Sequence, residues 1–459
     1  MPGLTSSLLM ATQSLLAEQA ALATTTNNIS NSSTPGYTRE RAILTEASPI
    51  VEGNLVFGNG VTLDKIQSVR DQLLDLRISQ ETQQQSSAQS QLSAMQQVQA
   101  LFADSTQGIG ANLTAFFNSI SQLSTNPTSV PQRQSVLTTA QNLVSSFQQS
   151  EANLNTIQSG LNDSVSETVT QINSLTQQIA KLNAQVGQME SLGQDPGVLA
   201  DQENELVQQL SQLTDVSVIK TETGESITTT GGTALVVGGQ SFNLQVTPNA
   251  SGMDHIFAQG QDITASIQSG QLGGTLQVRD TVIPGLLNQI DTLASQFAAG
   301  FNTAQQAGFD LAGNPGTAFF SVTAGAGAAS SLQVAITDPN AIAASSDGSA
   351  GSNGNIAQLM AVETQALPAG ASPLDSYANL VSLTGNLTSQ AQAELSASTT
   401  SVNQLNDQRG SISGVSIDEE TTNLITYQRA FEAAARVVTT VDQLTQAVIG
   451  MGASAQPVP

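Results

Sequence analysis

The C-terminal stretch from Ile417 to Val448 constrains the fold of this chain more than any other part of the sequence. Mainly apolar residues recur there every seven positions in two sets offset by three, Ile417, Leu424, Phe431 and Val438 in one and Tyr427, Ala434, Val441 and Val448 in the other. This spacing predicts a long amphipathic helix with one apolar stripe. Gly414, a capping box of Ser416 and Glu419, and the acidic run from Asp418 to Glu420 mark its start. Such a helix needs a partner.

A matching stripe lies at the other end of the chain. It consists of residues seven apart, with two more on the adjacent seam: Leu8, Leu15, Leu22 and Ile29, then Leu4 and Ala11. We expect this helix to end near Asn27, Asn28 and Asn31 and to be followed by a type II turn at 34–37, with Pro35 second and Gly36 third. The two ends are therefore predicted to pair as a coiled coil. An ordinary intramolecular bundle would give the same periodicity, so this alternative stays open.

The composition narrows the classes of partner. A chain of 459 residues is long enough for about three domains. Charged residues make up only 10% of it, whereas ~25% is usual in soluble proteins. The net charge is −24 with 12 Lys and Arg, which argues against nucleic acid or an anionic membrane as a partner. Because cysteine is absent, disulfides, thiolate metal sites and cysteine catalysis are excluded.

The N-terminal region does not resemble a secretory signal peptide. No basic residue precedes Arg39, whereas a signal peptide begins with a charged region. No uninterrupted apolar run approaches the ~20 residues that a membrane-spanning helix needs. We therefore expect no membrane insertion, and export would need another route.

The region after the first turn is predicted to pass from irregular strand and loop into helices. Short apolar pieces with three glycines occupy residues 43–61, and a helical pattern runs from Leu63 to Phe102. Its Gln- and Ser-rich middle, Gln80 to Gln91, is expected to be a solvated face or a fray. Two further helical patterns cover residues 113–123 and 136–147.

A second long heptad pattern occupies the centre of the chain. Two interleaved sets, Ile172, Ile179 and Val186 with Leu175, Leu182 and Met189, predict a coiled-coil arm from Asn153 to Leu192. Gly193, Pro196 and Gly197 end it. The apolar spacing from Leu199 to Leu213 then predicts a return helix, so the pair is expected to form an antiparallel hairpin.

At Val216 the apolar period changes from helical to two. Alternation such as Phe242, Leu244 and Val246, together with a turn at Thr223-Gly224, predicts a β insert running to about Val278. A helix is expected from Pro284 to Phe301. Residues 337–372 are expected to be partly loop, and a helix over 377–410 is expected to lie antiparallel on the earlier long helices.

Candidate chemical sites are few. His255 is the single histidine, so neither a histidine metal pair nor a Ser-His-Asp arrangement is indicated. The loop Asp310 to Gly316 lacks the alternating acids and terminal Glu of a calcium loop. The glycine pairs 231–232 and 273–274 lack the context of a phosphate loop. We therefore expect no catalytic, cofactor-binding or metal-binding residues and no cofactor.

The two ends also resemble a known family. The segments TTNNISNSSTPGYTR, residues 25–39, and SGVSIDEETTNLITYQRAFEAAARVV, residues 413–438, are similar to the N- and C-terminal signatures of bacterial flagellar axial proteins. The matching motif positions are Asn27, Asn28, Ser30, Asn31, Gly36 and Tyr37 at one end, and Gly414, Asp418, Glu419, Gln428 and Ala430 at the other. Rod, hook and hook-associated proteins share these signatures.

The middle of the chain resembles the hook-associated group. The segments SGQLGGTLQVRDTVIPGLLNQIDTLASQF and GFDLAGNPGTAFF are similar to the segments by which hook-associated proteins return from their β domain to their helical one. This resemblance implies a structural, non-enzymatic protein of the extracellular flagellum, at the junction of hook and filament, that passes transiently through the cytoplasm. The implied partners are further copies in a ring, the hook protein, a second hook-associated junction protein, an export chaperone and a type III export apparatus.

Two alternatives remain for the function. A flagellar hook or distal rod subunit would have similar ends, but its middle would be dominated by β structure. A secreted coiled-coil adhesin or binding module would keep the helices and the β insert but has no reason for both end signatures.

We therefore predict a mainly α fold with a β insert. Its parts are a terminal coiled-coil domain of residues 1–62 plus 411–459, a long-helix bundle and hairpin of 63–215 plus 284–410, and a small β-rich outer domain of 216–283. The predicted assembly interface consists of the apolar stripes, Leu8, Leu15, Leu22, Ile29, Ile417, Leu424, Tyr427, Phe431, Val438, Val441 and Val448.

Overall fold

The computed structural model describes residues 3–34, 36–52, 55–103, 107–192, 194, 196–221, 224–323 and 327–453. Its helices are α1 Leu4–Ser30, α2 Gln72–Phe102, α3 Ile109–Thr125, α4 Val130–Ser191, α5 Gly197–Leu213, α6 Gly270–Gln277, α7 Ile283–Gln306, α8 Ala328–Ser331, α9 Ile356–Thr364, α10 Pro373–Ser413 and α11 Ile417–Ala453. Its strands are β1 Glu40–Glu46, β2 Ile50–Glu52, β3 Leu55–Phe57, β4 Val61–Ser68, β5 Ser217–Thr221, β6 Gly224–Thr228, β7 Ala234–Val237, β8 Gln240–Ser241, β9 Leu244–Pro248, β10 Asp254–Ala258, β11 Gln261–Asp262, β12 Phe320–Ser321 and β13 Gln333–Val334. The predicted class, mainly helical with a β insert, is confirmed.

One helix, α4, runs through most of the molecule. It contains 62 residues, so the two separate helical patterns predicted over 136–147 and 153–192 are one element. Ser129 caps its start by accepting a hydrogen bond from the Gln132 amide at 3.4 Å. The predicted arm and return helix are confirmed, because α5 follows α4 and packs on it. Gly193, named as one of the helix terminators, lies outside the described residues.

The first apolar core lies between α3, α7 and the N-terminal half of α4. Five phenylalanines fill its centre with tilted and edge-to-face ring contacts 4.8 to 6.1 Å between centroids, a geometry favoured by the charge distribution of aromatic rings: Phe116, Phe297, Phe301, Phe319 and Phe320. This cluster anchors the helical body.

The second core lies between the C-terminal half of α4 and the β insert. The insert has a four-stranded sheet ordered β5-β6-β7-β8 and a three-stranded sheet ordered β11-β10-β9, both antiparallel. Asn173 of α4 binds the backbone of Leu244 in β9 through both of its amide atoms at 2.8 Å. Asn183 similarly binds the backbone of β6, so α4 fixes the position of the sheets.

Two sequence predictions for this region need correction. The β insert was expected to run to Val278, but strands end at Asp262 and residues 270–277 form α6. Helix α6 packs closely on α2 at Gly274, where a Cβ would lie 2.3 Å from the Ser87 carbonyl oxygen. The predicted turn at Thr223-Gly224 includes Thr223, which lies outside the described residues.

Helix α2 also differs from expectation at both its start and its middle. Residues 63–68 belong to β4, which pairs with β1 in an antiparallel ribbon, and the helix begins only at Gln72. The Gln- and Ser-rich middle is an unbroken helix with one solvated face, which includes Gln80, Gln84 and Gln89. The opposite face was not predicted to be buried, yet Gln83 and Ser87 are. Gln83 donates to the Val216 carbonyl at 2.9 Å. Small and hydrogen-bonded side chains thus form a buried helix face without apolar bulk.

The C-terminal part of the chain packs back on the N-terminal helices of the body. Helix α10 packs on α2, and the two run antiparallel, since Gln85 donates to Thr399 at 3.0 Å while Tyr377 near the start of α10 touches Gly110 beyond the end of α2. Residues 337–372 are partly loop as expected, but they also contain α9 and a short 3₁₀ turn, Pro339–Ala341.

Candidate assembly interface

The two terminal helices pack against each other. α1 ends and α11 begins at one polar cluster, where Asn28 Nδ2 donates to Glu420 Oε2 at 3.1 Å. Because α1 runs toward this cluster and α11 runs away from it, the pair is antiparallel. Neither apolar core contains a residue of α1 or α11 among the described residues. The helix pair therefore packs outside both cores, next to the β1–β4 ribbon.

The buried face of α1 consists mainly of small residues, of which only Ala11 belongs to the predicted stripe: Ala11, Ala17, Ala21, Thr24 and Thr25. Leu15, Leu22 and Ile29 are half-buried, and Leu8 is exposed. Small side chains allow close approach of the helix backbones, and the leucines then flank the contact. The predicted stripe is therefore only partly covered within one chain.

Helix α11 is covered still less. Val441 is its one buried apolar residue within the described side chains, 7% exposed. Half-buried stripe residues are Leu424, Tyr427, Ala434 and Val438. The other stripe residues are exposed: Ile417, Phe431 and Val448, with Phe431 at 36%. The heptad pattern thus marks a face that a single chain does not bury.

A second apolar seam lies beside the predicted one. Leu9 and Leu16 of α1 are exposed, Leu16 at 63%. Val437 and Leu444 of α11 are also exposed. Sequence reasoning missed these residues, although both pairs are seven residues apart and so carried a detectable signal. The exposed apolar surface of the helix pair is therefore wider than one stripe.

Asn28 organises the base of the helix pair. Its Nδ2 donates to the Glu40 carbonyl at 2.8 Å as well as to Glu420, and its Oδ1 accepts from the Tyr37 hydroxyl at 2.8 Å and from the Glu40 amide at 2.9 Å. Asn28 and Glu420 are both buried. These four residues, the Asn28 cluster, join α1, β1 and α11. Every hydrogen-bonding atom of the buried amide has a partner, as burial of a polar group requires.

A second set of contacts fixes the start of α11. The Arg39 amide donates to the Ser413 carbonyl at 2.9 Å, and the Arg39 guanidinium pairs with Glu419 at 2.7 Å. Ser416 accepts from the Glu419 amide at 3.5 Å, so half of the predicted capping box is present at long distance. The Glu419 carboxylate is used by Arg39, and this ion pair between the chain ends was not predicted.

Helix α5 of the long-helix body contacts the segment between α1 and β1. Asp201 of α5 accepts from the Thr38 amide at 3.0 Å and pairs with Arg70, just before α2. Burial, with the nearby carboxylates of Glu40, Asp201 and Glu420, raises the pKa of the Tyr37 hydroxyl, which therefore stays protonated and donates to Asn28. Asp201 and Arg70 were missed because no local pattern links positions so far apart.

The remaining motif residues have local roles. Asn31 Nδ2 donates to Asn27 Oδ1 at 2.8 Å, and Ser30 donates to the Thr26 carbonyl. Gly36 has a φ of +81°, as the third position of a type II turn requires, and the Tyr37 amide donates to the Thr34 carbonyl at 3.3 Å. Pro35 lies outside the described residues.

The C-terminal motif residues also have identifiable positions. A Cβ on Gly414 would lie 2.2 Å from the Gly410 carbonyl oxygen, so only glycine fits between α10 and α11. Asp418 and Gln428 are exposed on α11, and Ala430 is half-buried.

Groups with chemical potential lie apart from this interface. His255 pairs with Asp262 at 2.6 Å on an exposed hairpin, and Asp310 accepts hydrogen bonds from its own loop, including the Asn314 amide at 2.8 Å. Within the described ranges, no group of three or more His, Cys, Asp or Glu residues could hold a metal ion. The same part of the chain contains no helix long and apolar enough to cross a membrane.

Family comparisons match both ends and the middle of the chain. The family described as flagella basal body rod protein matches residues 8–38, and that described as flagellar basal body rod FlgEFG protein C-terminal matches residues 408–451. The family described as flagellar hook-associated protein FlgK helical domain matches residues 95–320. Rod-type ends on a helical body define a flagellar axial protein.

Whole-chain relatives define the family more closely. The flagellar hook-associated protein 1 of Bacillus subtilis is 30% identical, covering 96% of this chain and 97% of that protein. The protein of the same name from Escherichia coli is 26% identical over 95% and 98%. The flagellar hook junction protein FlgK from Burkholderia pseudomallei has a similar structure, with a TM-score of 0.67 and 19% identity over 73% of this chain and 100% of that one. The chain belongs to the flagellar hook-associated protein 1 family, whose members are structural components of the extracellular flagellum.

Proposed function

We propose that the chain is a subunit of the junction between flagellar hook and filament, joined to its neighbours through its paired terminal helices. The observation that carries this proposal is the apolar surface of the helix pair. Of the 23 exposed large apolar side chains in the described residues, four lie on α1 and seven on α11. Apolar surface concentrated in this way is typical of an interaction site.

The proposed cover for this surface is the same helix pair in neighbouring copies, arranged in a ring. Each helix carries apolar residues on more than one side, so it can contact its intramolecular partner and a second chain together. In this proposal the interface includes Leu8, Leu15, Leu22, Ile29, Ile417, Leu424, Tyr427, Phe431, Val438, Val441 and Val448. The missed residues Leu9, Leu16, Val437 and Leu444 extend it.

We further propose that the hook protein and a second hook-associated junction protein bind the two sides of this ring. Before assembly, an export chaperone would cover α11, and a type III apparatus would carry the chain out of the cell. The exposed apolar face of α11 supports the chaperone, because such a face would self-associate in the cytoplasm.

The proposed division into three parts keeps the predicted boundaries. Placement of α1 and α11 outside both cores supports a separate terminal unit, residues 1–62 plus 411–459. The two cores support a long-helix unit and an outer β unit, which we keep as residues 216–283; the second core also contains the C-terminal half of α4, and Val278 belongs to the first core. We propose that all three parts have a mechanical role. The structural role of the family supports the proposal that the chain is not an enzyme.

The proposal is tested by deleting the gene in the source organism and imaging its flagella by electron microscopy. We expect hooks without filaments, with filament protein released into the medium, and recovery on complementation with the full chain. Hooks that fail to form would instead place the subunit in the rod or hook. Filaments of normal number and attachment would contradict the proposal.

A further inference from the structure

Two elements connect the helical body to the β unit: α2, through contacts such as Gln83 to the Val216 carbonyl, and α4, at a polar joint between the two apolar cores. On α4 the first core ends near Leu154 and the second begins at Val165. The segment that faces α4 here runs from α6 into α7, and in it Leu276 belongs to the second core and Val278 to the first. Four polar residues lie between these points: Gln158 and Asn162 of α4, and Arg279 and Asp280 of the segment between α6 and α7. We name this group the Arg279 joint.

Arg279 is fully buried in the centre of this joint. Its Nε and Nη2 donate to the Asp280 carboxylate at 2.7 and 3.0 Å, and its Nη1 donates to Asn162 Oδ1 at 2.9 Å. A buried guanidinium is costly unless its donors are satisfied, so the contact to α4 is strongly specified. Lysine could not replace this planar fork.

The backbone at Arg279 is also engaged. Residues Val278–Val282 form a π-helical turn between α6 and α7, and such turns commonly mark functional positions. The Arg279 carbonyl accepts from Gln158 Nε2 at 2.8 Å. Because Gln158 and Asn162 are one turn apart on α4, they hold the side chain and the backbone of the same residue.

Asn162 connects the joint to the β unit. Its Oδ1 accepts from the Asp254 amide in β10 at 2.7 Å, in addition to Arg279. A bend between α4 and α7 at this point would therefore break contacts that join three elements: α4, the π-helical turn and β10. We propose that the Arg279 joint is a stiff coupling that makes the two cores one cooperative unit, so that force on the outer β unit is transmitted to the helical body.

Hydrogen exchange of the full chain tests this proposal, with peptides from β6–β10 reporting on the second core and peptides from α3 and α7 on the first. In the wild type we expect both cores to open together, with equal protection. In Arg279→Lys we expect exchange in β6–β10 to rise at least tenfold while α3 and α7 change less than twofold. Arg77→Lys, at an exposed position of α2, is the matched control and should change neither.

Other outcomes would overturn the proposal. Independent opening of the two cores in the wild type would show that no coupling exists. An equal increase of hydrogen exchange in both cores of Arg279→Lys would show that Arg279 only stabilises the protein in general. Unchanged exchange in both cores would show that Arg279 does not couple them. If Arg279→Lys does not fold, Gln158→Ala removes one bond to the joint and should show the same selective rise, smaller in size. Because these readouts use the monomer, failure here leaves the junction assignment untouched.

Discussion

Asn28 and Glu420, which are 392 positions apart in the sequence, share a buried hydrogen bond of 3.1 Å at the base of the terminal helix pair. This bond closes the chain on itself, because it joins the end of the first helix to the start of the last. The same asparagine binds Tyr37 and Glu40, so one side chain sets the position of three segments.

Replacement of Asn28 by Ala should loosen the helix pair without affecting either core. The change leaves Glu420 buried without this partner, and an unsatisfied buried group costs about 1–3 kcal/mol. We expect faster hydrogen exchange in α1 and α11 and unchanged exchange in α4. Gln13→Ala, at an exposed position of α1, should have no effect. Equal destabilisation of α4 would show that the helix pair is part of the main cooperative unit.

Phe431→Asp should separate assembly from monomer stability. Phe431 is 36% exposed, so a charge there should change the unfolding free energy of the monomer by less than about 1 kcal/mol. In a ring the carboxylate would face apolar side chains of a neighbour, where an unpaired charge is strongly unfavourable. We expect filament attachment to be lost in complemented cells while the melting temperature is retained. Thr439→Asp, exposed on the same helix, is the control, and a large fall in melting temperature for Phe431→Asp would instead make this residue part of an ordinary folded core.

Asp215 should make the second core weaker at neutral pH. It is 1% exposed between α5 and β5, and burial raises its pKa to about 6. A carboxyl whose pKa is higher in the folded state favours folding when protonated, so this stability is present below pH ~4 and is lost as pH rises through about 6. Asp215→Asn should therefore be more stable than the wild type at pH 7.5, by roughly 2–3 kcal/mol at ~1.4 kcal/mol per pKa unit. At pH 4 the difference should largely disappear.

Denaturant unfolding at both pH values measures this effect. Asp163→Asn, at an exposed position of α4, is the matched control and should show no difference at either pH. A wild type as stable as Asp215→Asn at pH 7.5 would show that the buried carboxylate is compensated by groups other than Thr214 and Thr230.

Removal of residues 415–459 should abolish binding of the export chaperone. This segment contains seven exposed large apolar side chains on α11, which form the proposed chaperone site. The binding assay compares the full chain with the truncated chain, using the purified chaperone of the same organism. Replacement of the exposed Asp418 and Asp442 by Asn keeps the apolar face and should leave binding intact. Binding that survives the truncation would place the chaperone site elsewhere.

Periodicity predicted the long helices well because an apolar stripe is a local property. It failed where two periods overlap: Leu63 and Ile66 suit a helix face, yet both lie in β4, where pairing with β1 decides the structure. It also failed at Gln83, whose burial depends on the carbonyl of Val216, far along the chain. Hydrogen bonds supplied by distant segments have no local sequence signal.

The candidate interface shows the same limit. The heptad positions predicted which helices carry the apolar surface, but burial within one chain falls on Ala17 and Ala21 instead. Small residues give a weak hydrophobic signal, although they decide how closely two helices approach. The Arg39–Glu419 and Arg70–Asp201 pairs depend on the tertiary fold, so the sequence alone could not place them.

Helix α4, with its 62 residues, would be about 93 Å long at 1.5 Å per residue. It carries the first core, the Arg279 joint and the two asparagines that hold the sheets, all at fixed phases around one axis. One inserted residue would rotate everything beyond it by about 100°, and Asn173 and Asn183 would then point away from the strands they bind. Insertions of seven or eleven residues nearly restore the phase. Insertions in α4 are therefore compatible with these contacts only at certain lengths, so α4 can become longer only in discrete steps.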